Sequence, residues 1–155
     1  AIQLLRKKKS NINFIFCGQI HEGVDKYNIN KLKFDVDKLK VKLILNAKDI
    51  KKIIKSSSVV VLPSPYREGV PRSLLEAISI GRPVIGTNVP GIKEVIIHSW
   101  NGFFIKRKSP KELVKYILKL KNNKRKYDNF RYNSRKLAVK KFEVNKVNNV
   151  FLSNI

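Results

Sequence analysis

Pro63-Ser64-Pro65-Tyr66-Arg67-Glu68-Gly69-Val70-Pro71-Arg72-Ser73-Leu74-Leu75-Glu76-Ala77, continued by Gly81-Arg82-Pro83-Val84-Ile85-Gly86-Thr87-Asn88-Val89-Pro90-Gly91, is the stretch that decides how this chain folds. It reads as strand, loop, helix, strand, loop. Just upstream, Val59-Val60-Val61-Leu62 is an apolar, β-branched run of the kind that forms a strand buried on both faces of a parallel sheet. Pro63 and Pro65 stop that strand. Pro71 suits the first turn of a helix in which Leu74, Leu75 and Ile78 recur at helical spacing, and Gly81 ends it. The helix N-terminus therefore stands just outside the C-terminal end of a strand. Doubly wound α/β sheets bind phosphorylated ligands at such places, because free backbone N–H groups and the helix macrodipole both favour an anion.

The same alternation continues on both sides. Residues 1–9 predict a helix that ends in Arg6-Lys7-Lys8-Lys9, a favourable charge pattern at a C-terminus. Asn13 to Cys17 predicts the first strand, closed by Gly18, with Cys17 as a small buried strand residue; residues 19–28 read as loop. Lys31 to Lys40 reads as a helix with Leu32, Phe34, Val36 and Leu39 turned partly inward, although Phe34, Val36 and Lys38 also alternate. Val41 to Leu45 is the second strand and Asp49 to Ser56 a short helix. After the strand 58–62 and the helix 72–80 come a strand from Pro83 to Gly86, a short helix from Gly91 to Ile96 and a strand from Gly102 to Ile105. From Ser109 the character becomes helical and basic. Ser109-Pro110 starts one helix with a Leu113, Ile117, Leu120 stripe; Asn122 to Lys141 is a second and Val144 to Leu152 a third. The class is α/β, a Rossmann-like parallel sheet with flanking helices, in one domain over 1–155 that includes the basic helical segment 109–155.

Bulk properties narrow the partners. The 155 residues are 43% hydrophobic, enough for a core, and carry a formal charge of +23. Such a field attracts nucleic acid, anionic lipid or phosphorylated substrates and says nothing about fold. The dominance of Lys, Asn and Ile is also what an AT-rich genome produces. A single cysteine excludes an internal disulfide framework and favours a reducing compartment. No run of about 18 apolar residues suggests a membrane span, and no signal peptide precedes the fold. The expected location is cytoplasmic, with any membrane contact peripheral at the inner face of the plasma membrane. A start at Ala1, inside what reads as a helix, suggests a fragment.

Several residues invite chemistry. Glu68 and Glu76 have seven residues between them, with Arg72 midway, so an acid, a base and an acid gather near the helix start. On spacing alone they read as a solvated loop acid and an ordinary helix-surface acid. Arg67 and Arg72 divide in the same way between phosphate contact and plain surface charge. No G-x-G-x-x-G follows Gly18, so a nicotinamide-dinucleotide site has no support. Asp35-Val36-Asp37 imitates a D-x-D metal motif but precedes a strand instead of following one, and His21 and His98 lack partners at ligand spacing. Tyr116, Tyr127, Phe130 and Tyr132 lie among the cations of Lys106-Arg107-Lys108 and of 119–146, either as a core-packing face or as part of a polyanion-binding one.

The whole string, with its E-x7-E spacing and the following Gly-Arg-Pro-Val-Ile and Val-Pro-Gly, resembles the C-terminal lobe of family 4 retaining glycosyltransferases of the GT-B fold. The likeness runs from about residue 1 to 150 and is densest from Ser58 to Phe104. It implies a lobe that holds a nucleoside diphosphate sugar, best matched by a UDP-sugar, and that needs no metal or other cofactor. By that resemblance Glu68 is the catalytic-site carboxylate on the donor sugar, and Glu76 grips the ribose hydroxyls. Gly69, Val70, Arg72 and Ser73 offer amides to the diphosphate, and backbone around Leu43 and Leu45 holds the base, although the family often has Gly where Leu45 stands. The implied reaction moves a hexose or N-acetylhexosamine to a glycan or polyprenyl-linked acceptor in cell-envelope polysaccharide synthesis. The family's opening strand, with its Gly-Arg and Lys-Gly pair, and the N-terminal lobe with its histidine are not in these residues. That lobe is then supplied by the same or another chain, and the fragment alone is expected to be inactive. The rival readings are an inactive remnant of a split gene and a basic nucleic-acid-binding domain; no sequence-specific nucleic-acid contact is expected.

Overall fold

A computed structural model describes residues 1–19, 29–67 and 69–142. The loop expected over 19–28, apart from residue 19, and the helix expected from Val144 to Leu152 lie outside them, as do Glu68 and His21. The chain divides into two compact units, Ala1–Ile50 and Lys51–Ile155.

In the first unit, helix α1 (Ile2–Lys7) precedes strand β1 (Ile15–Gly18), helix α2 (Ile29–Lys38) and strand β2 (Lys42–Leu45). β1 and β2 pair in parallel, with Ile15 opposite Lys42 and Gly18 opposite Leu45. Arg6 ties α1 to this hairpin-free pair: its guanidinium donates to the carbonyls of Leu39 at 3.3 Å, Ile12 at 3.1 Å and Lys40 at 3.2 Å. The planar fork thus satisfies carbonyls at the end of α2 that have no partner inside the helix. Two expectations are corrected here. Cys17 is exposed, and its neighbours Ile15 and Phe16 are 38% and 46% exposed, because β1 has a neighbouring strand on one side only. Phe34 is 67% exposed; Leu32 and Val36 share the half-buried stripe of α2, with Leu39 half-buried just beyond its end, and a residue two places from Leu32 points the other way.

Helix α3 (Ile50–Ser56) begins at the boundary. The second unit continues with β3 (Val60–Leu62), α4 (Arg72–Ser79), β4 (Val84–Thr87), α5 (Ile92–Val95), β5 (Gly102–Ile105), α6 (Pro110–Lys121) and α7 (Lys124–Phe142). The three strands form a parallel sheet in the order β3-β4-β5. All four residues of β4 are buried, whereas β3 is half-buried along its length. The expectation that 59–62 is sandwiched on both faces is corrected on that ground: within its sheet β3 is an edge, and β4 has the central place.

Side-chain alternation separates two cores. Val84 joins Leu74, Ala77, Ile78, Ile92, Val95, Leu137 and Ala138 on the face covered by α4, α5 and α7. Ile85, Phe103 and Ile105 pack on the other face with Leu120 of α6 and Phe130 of α7. Two glycines permit this closeness. A Cβ on Gly102 would lie 2.2 Å from the Val84 carbonyl oxygen, and one on Gly86 would lie 2.7 Å from Cγ2 of Ile92. α4 ends as expected at Gly81, whose φ of 74° lets Arg82 N–H reach the Ala77 carbonyl at 2.8 Å and Gly81 N–H that of Ile78 at 3.0 Å. α7 is clamped by polar contacts as well as apolar ones. Asn133 Nδ2 donates to the Trp100 carbonyl at 2.8 Å, Arg135 to that of Ser79 at 2.8 Å, and Lys141 to that of Glu94 at 3.2 Å.

Candidate functional site

Parallel strands end at one edge of the sheet, so the loops after β3, β4 and β5 share that edge. The loop 63–71 carries the chain from Leu62 to α4. It contains three prolines and turns at Tyr66, whose N–H approaches Ser64 Oγ at 3.4 Å and whose ring is 73% exposed. Gly69 and Val70 stand exposed just before the helix, and a Cβ on Gly69 would meet nothing within 4 Å. Room for backbone to approach a ligand is thus present.

Pro71 occupies the N-cap with extended angles, φ −68° and ψ 120°. It has no side-chain oxygen with which to cap, so the helix start is satisfied only through its carbonyl, which accepts from Leu74 and Leu75 at 3.1 Å. The amides of Arg72 and Ser73 have no partner among the described residues. Arg72 is exposed and Ser73 half-buried. One turn further on, Glu76 leans back toward the N-terminus, as helical side chains do. Its Oε1 accepts from Arg72 Nε at 3.1 Å, with 18% of the Glu76 side chain and 89% of the Arg72 side chain exposed. The carboxylate is therefore sheltered, oriented by one guanidinium, and one turn from two free N–H donors. Chemically this is a grip for a ligand that offers hydroxyls to the carboxylate and oxyanions to the amides.

The structure brings Gly69, Val70, Arg72, Ser73 and Glu76 together at the start of α4. The second carboxylate of the expected cluster, Glu68, lies outside the described residues. Leu43 and Leu45 are half-buried on β2, in the other unit. Asp35 and Asp37 sit within α2, not at a strand end. His98 is an aromatic-cluster residue: its Nδ1 accepts the Phe104 N–H at 3.0 Å, and its ring lies 5.6 Å from Phe103 and 5.8 Å from Tyr116. Among the described residues no three His, Cys, Asp or Glu side chains form a metal-ligand group.

Thr87 is a residue at this edge to which the sequence reading gave no role. It ends β4, is 2% exposed, and its hydroxyl oxygen has no hydrogen-bond partner among the described residues. A buried hydroxyl without a partner is costly and rare. The only signal for it is the polar Thr87-Asn88 pair that interrupts an apolar strand before Pro90-Gly91. Lys106, Arg107 and Lys108 follow β5 at the same edge, and the Lys106 N–H donates to Glu112 Oε2 at 2.6 Å. The acid with a lowered titration, Glu94, is elsewhere. Its hydrogen bond from Lys141, and then the charge of that lysine, hold it below the usual carboxylate range.

Comparison with known proteins adds the relatives of this arrangement. Residues 1–137 match the family described as Glycosyl transferases group 1. The chain is 33% identical over 122 residues to an uncharacterized glycosyltransferase of Haemophilus influenzae, covering 78% of this chain and 34% of that protein. It is also 33% identical over 101 residues to the UDP-Gal:alpha-D-GlcNAc-diphosphoundecaprenol alpha-1,3-galactosyltransferase of Escherichia coli, covering 62% and 26%. Among solved structures, Anabaena HepE in complex with UDP superposes with a TM-score of 0.88 and 23% identity, over 99% of this chain and 43% of that one. That likeness establishes the fold, parallel sheets with flanking helices. The chain spans about a third of the Haemophilus influenzae relative's length and about a quarter of the Escherichia coli one's.

Proposed function

Because the chain belongs to the glycosyl transferases group 1 family, we propose that it acts as one domain, the sugar-nucleotide-binding lobe of a retaining, E-x7-E-type glycosyltransferase. The observation that carries this reading is the sheltered Glu76 carboxylate one turn from the unpartnered amides of Arg72 and Ser73. Glu76 accepts the two ribose hydroxyls of the nucleotide. The amides of Gly69, Val70, Arg72 and Ser73 bind the diphosphate, and Glu68 binds hydroxyls of the donor sugar. Amides fixed by the helix offset the charge that builds on the leaving diphosphate, so no divalent metal or other cofactor is required. Retention follows delivery of the acceptor to the face from which the diphosphate departs, with that phosphate helping to take the acceptor proton.

The donor is a UDP-hexose or UDP-N-acetylhexosamine, with the base held by backbone near Leu43 and Leu45. The acceptor is a glycan or polyprenyl-linked sugar of cell-envelope polysaccharide synthesis. The Escherichia coli relative, named for a UDP-Gal donor and a diphosphoundecaprenol acceptor, supports both assignments. An N-terminal lobe, in the same or another chain, supplies the acceptor site, and the 155 residues transfer nothing unaided. The basic surface meets anionic lipid at the inner face of the plasma membrane, where a lipid-linked acceptor lies. Among the described residues no helix is long and apolar enough to cross a membrane.

Calorimetric titration of the chain with UDP, UMP and uridine tests the reading. UDP should bind more tightly than UMP, and uridine weakest, because the amides recognise the diphosphate. Equal binding of UDP and uridine, or none of either to a folded sample, overturns it.

A further inference from the structure

A cavity of about 330 Å³ opens on the Lys51–Ile155 unit, lined by residues that include Trp100, Asn123, Arg125, Lys126, Asn129 and Asn133. Trp100 lies just before Gly102, the first residue of β5, so the cavity is at the sheet edge where the strands begin. Arg72 and Glu76 are at the opposite edge, where the strands end. This cavity is thus separate from the site at the start of α4.

Part of its wall is held in place. The Trp100 carbonyl accepts Asn133 Nδ2 at 2.8 Å, the Trp100 side chain packs against the core, and Lys126 Nζ sits 5.5 Å from the centre of the buried Phe130 ring. Asn123 Oδ1 accepts the Lys126 N–H at 2.8 Å. The amide of Asn129 has no hydrogen-bond partner among the described residues. The lining therefore combines Trp100, Phe130 and Ser99 with three planar amides and two cations, and it contains no carboxylate.

That combination has a specific chemical match. A side-chain amide donates and accepts at once, as sugar hydroxyls do, and an indole covers the C–H face of a pyranose ring. A lipid chain or an apolar peptide would need a greasier lining. The volume is at the lower end for ligand pockets and suits a single sugar unit. The two cations, with no acid in the lining, select a sugar that carries a negative group. We infer that this cavity is a second carbohydrate site, which holds one acidic sugar residue, bearing a carboxylate or phosphate, at the sheet edge away from Glu76. The site stands whether or not the chain grips UDP.

The test is NMR titration of the ¹⁵N-labelled chain with galacturonate, galactose, acetate and UMP in turn. Galacturonate should saturably shift the Trp100 indole N–H and the Asn129 and Asn133 side-chain amides. Galactose should shift the same signals with at least fivefold weaker affinity, and acetate should leave them in place. Arg125→Ala should weaken galacturonate at least fivefold and leave galactose unchanged, while Asn129→Ala weakens both; both residues are exposed, so the fold is kept. Trigalacturonate binding tighter than galacturonate identifies the source as a polysaccharide chain, and equal binding identifies a free acidic sugar. Acetate acting like galacturonate, UMP displacing it from these signals, or no shift with any sugar overturns the inference. UDP shifts at Ser73 and Glu76 are read in the same spectra, so the two sites succeed or fail separately.

Discussion

Replacing Glu76 by Gln keeps the side chain's volume and removes its charge, and the structure sets the size of both consequences. Its partner within the chain is Arg72, whose side chain is 89% exposed, in an i,i+4 pair at 3.1 Å. Exposed helix pairs of this kind contribute about 0.3–0.5 kcal/mol, so folding stability should drop by no more than that. Arg72→Ala should lower it by a similar amount. Binding is another matter. Hydrogen bonds to a charged group contribute about 1.5–3 kcal/mol and neutral ones about 0.5–1.5 kcal/mol. The difference of about 1–1.5 kcal/mol predicts roughly tenfold weaker UDP binding for Glu76→Gln. Arg72→Ala keeps the backbone amide and the carboxylate, and should hold UDP within about threefold of the parent. Calorimetric titration with UDP, paired with urea melts of each variant, measures both quantities. UDP binding that is unchanged in Glu76→Gln, or weakened equally in Arg72→Ala, refutes the assignment of Glu76 to the ribose.

The two close-packed glycines should respond differently to a single methyl. In Gly102→Ala the new Cβ meets a backbone carbonyl at 2.2 Å, so β5 must leave β4, with a loss above about 3 kcal/mol in urea unfolding. In Gly86→Ala it meets side-chain carbons of Ile92 and Ile96 at 2.7 and 3.1 Å, which can turn aside, and the loss should be about 1–3 kcal/mol. Phe103→Ala empties the centre of the core against α6 and should cost about 3–5 kcal/mol. Acid should weaken the chain through Glu94, whose folded titration lies below its ordinary value of 4.5 because of Lys141. That contribution is complete above the ordinary value and is lost as pH falls through the lowered one. A melting-temperature profile should therefore be flatter over that acidic range in Lys141→Ala.

Local chemistry made the elements legible. Short β-branched runs, Pro71 at a helix start and Gly81 at its end act within a few residues, and each element from α1 to α7 stands close to where those signals put it. Burial was less legible, because it depends on which strands become neighbours. Val60-Val61-Leu62 and Phe16-Cys17 have the composition of central strands, yet each run lies at an edge within its own sheet. Phe34 shows the same limit in a helix: its hydrophobicity says bury, and its angular position says otherwise. At the site, the spacing of Arg72 and Glu76 foretold their pairing. The bare hydroxyl of Thr87 left no comparable trace, since a missing partner is a property of the folded surroundings.

The polar clamps of α7 bear on where this protein can be cut. Asn133, Arg135 and Lys141 each close a backbone carbonyl in a different segment: the loop after α5, the last residue of α4, and α5 itself. A terminus placed ahead of Asn133 would strip three acceptors of their donors at once and bare the greasy side of α4. Any shortened version of the Lys51–Ile155 unit must therefore keep α7 through Phe142. α7 is a fastener for these segments, and shortening it would loosen the far ends of the sheet before touching the start of α4.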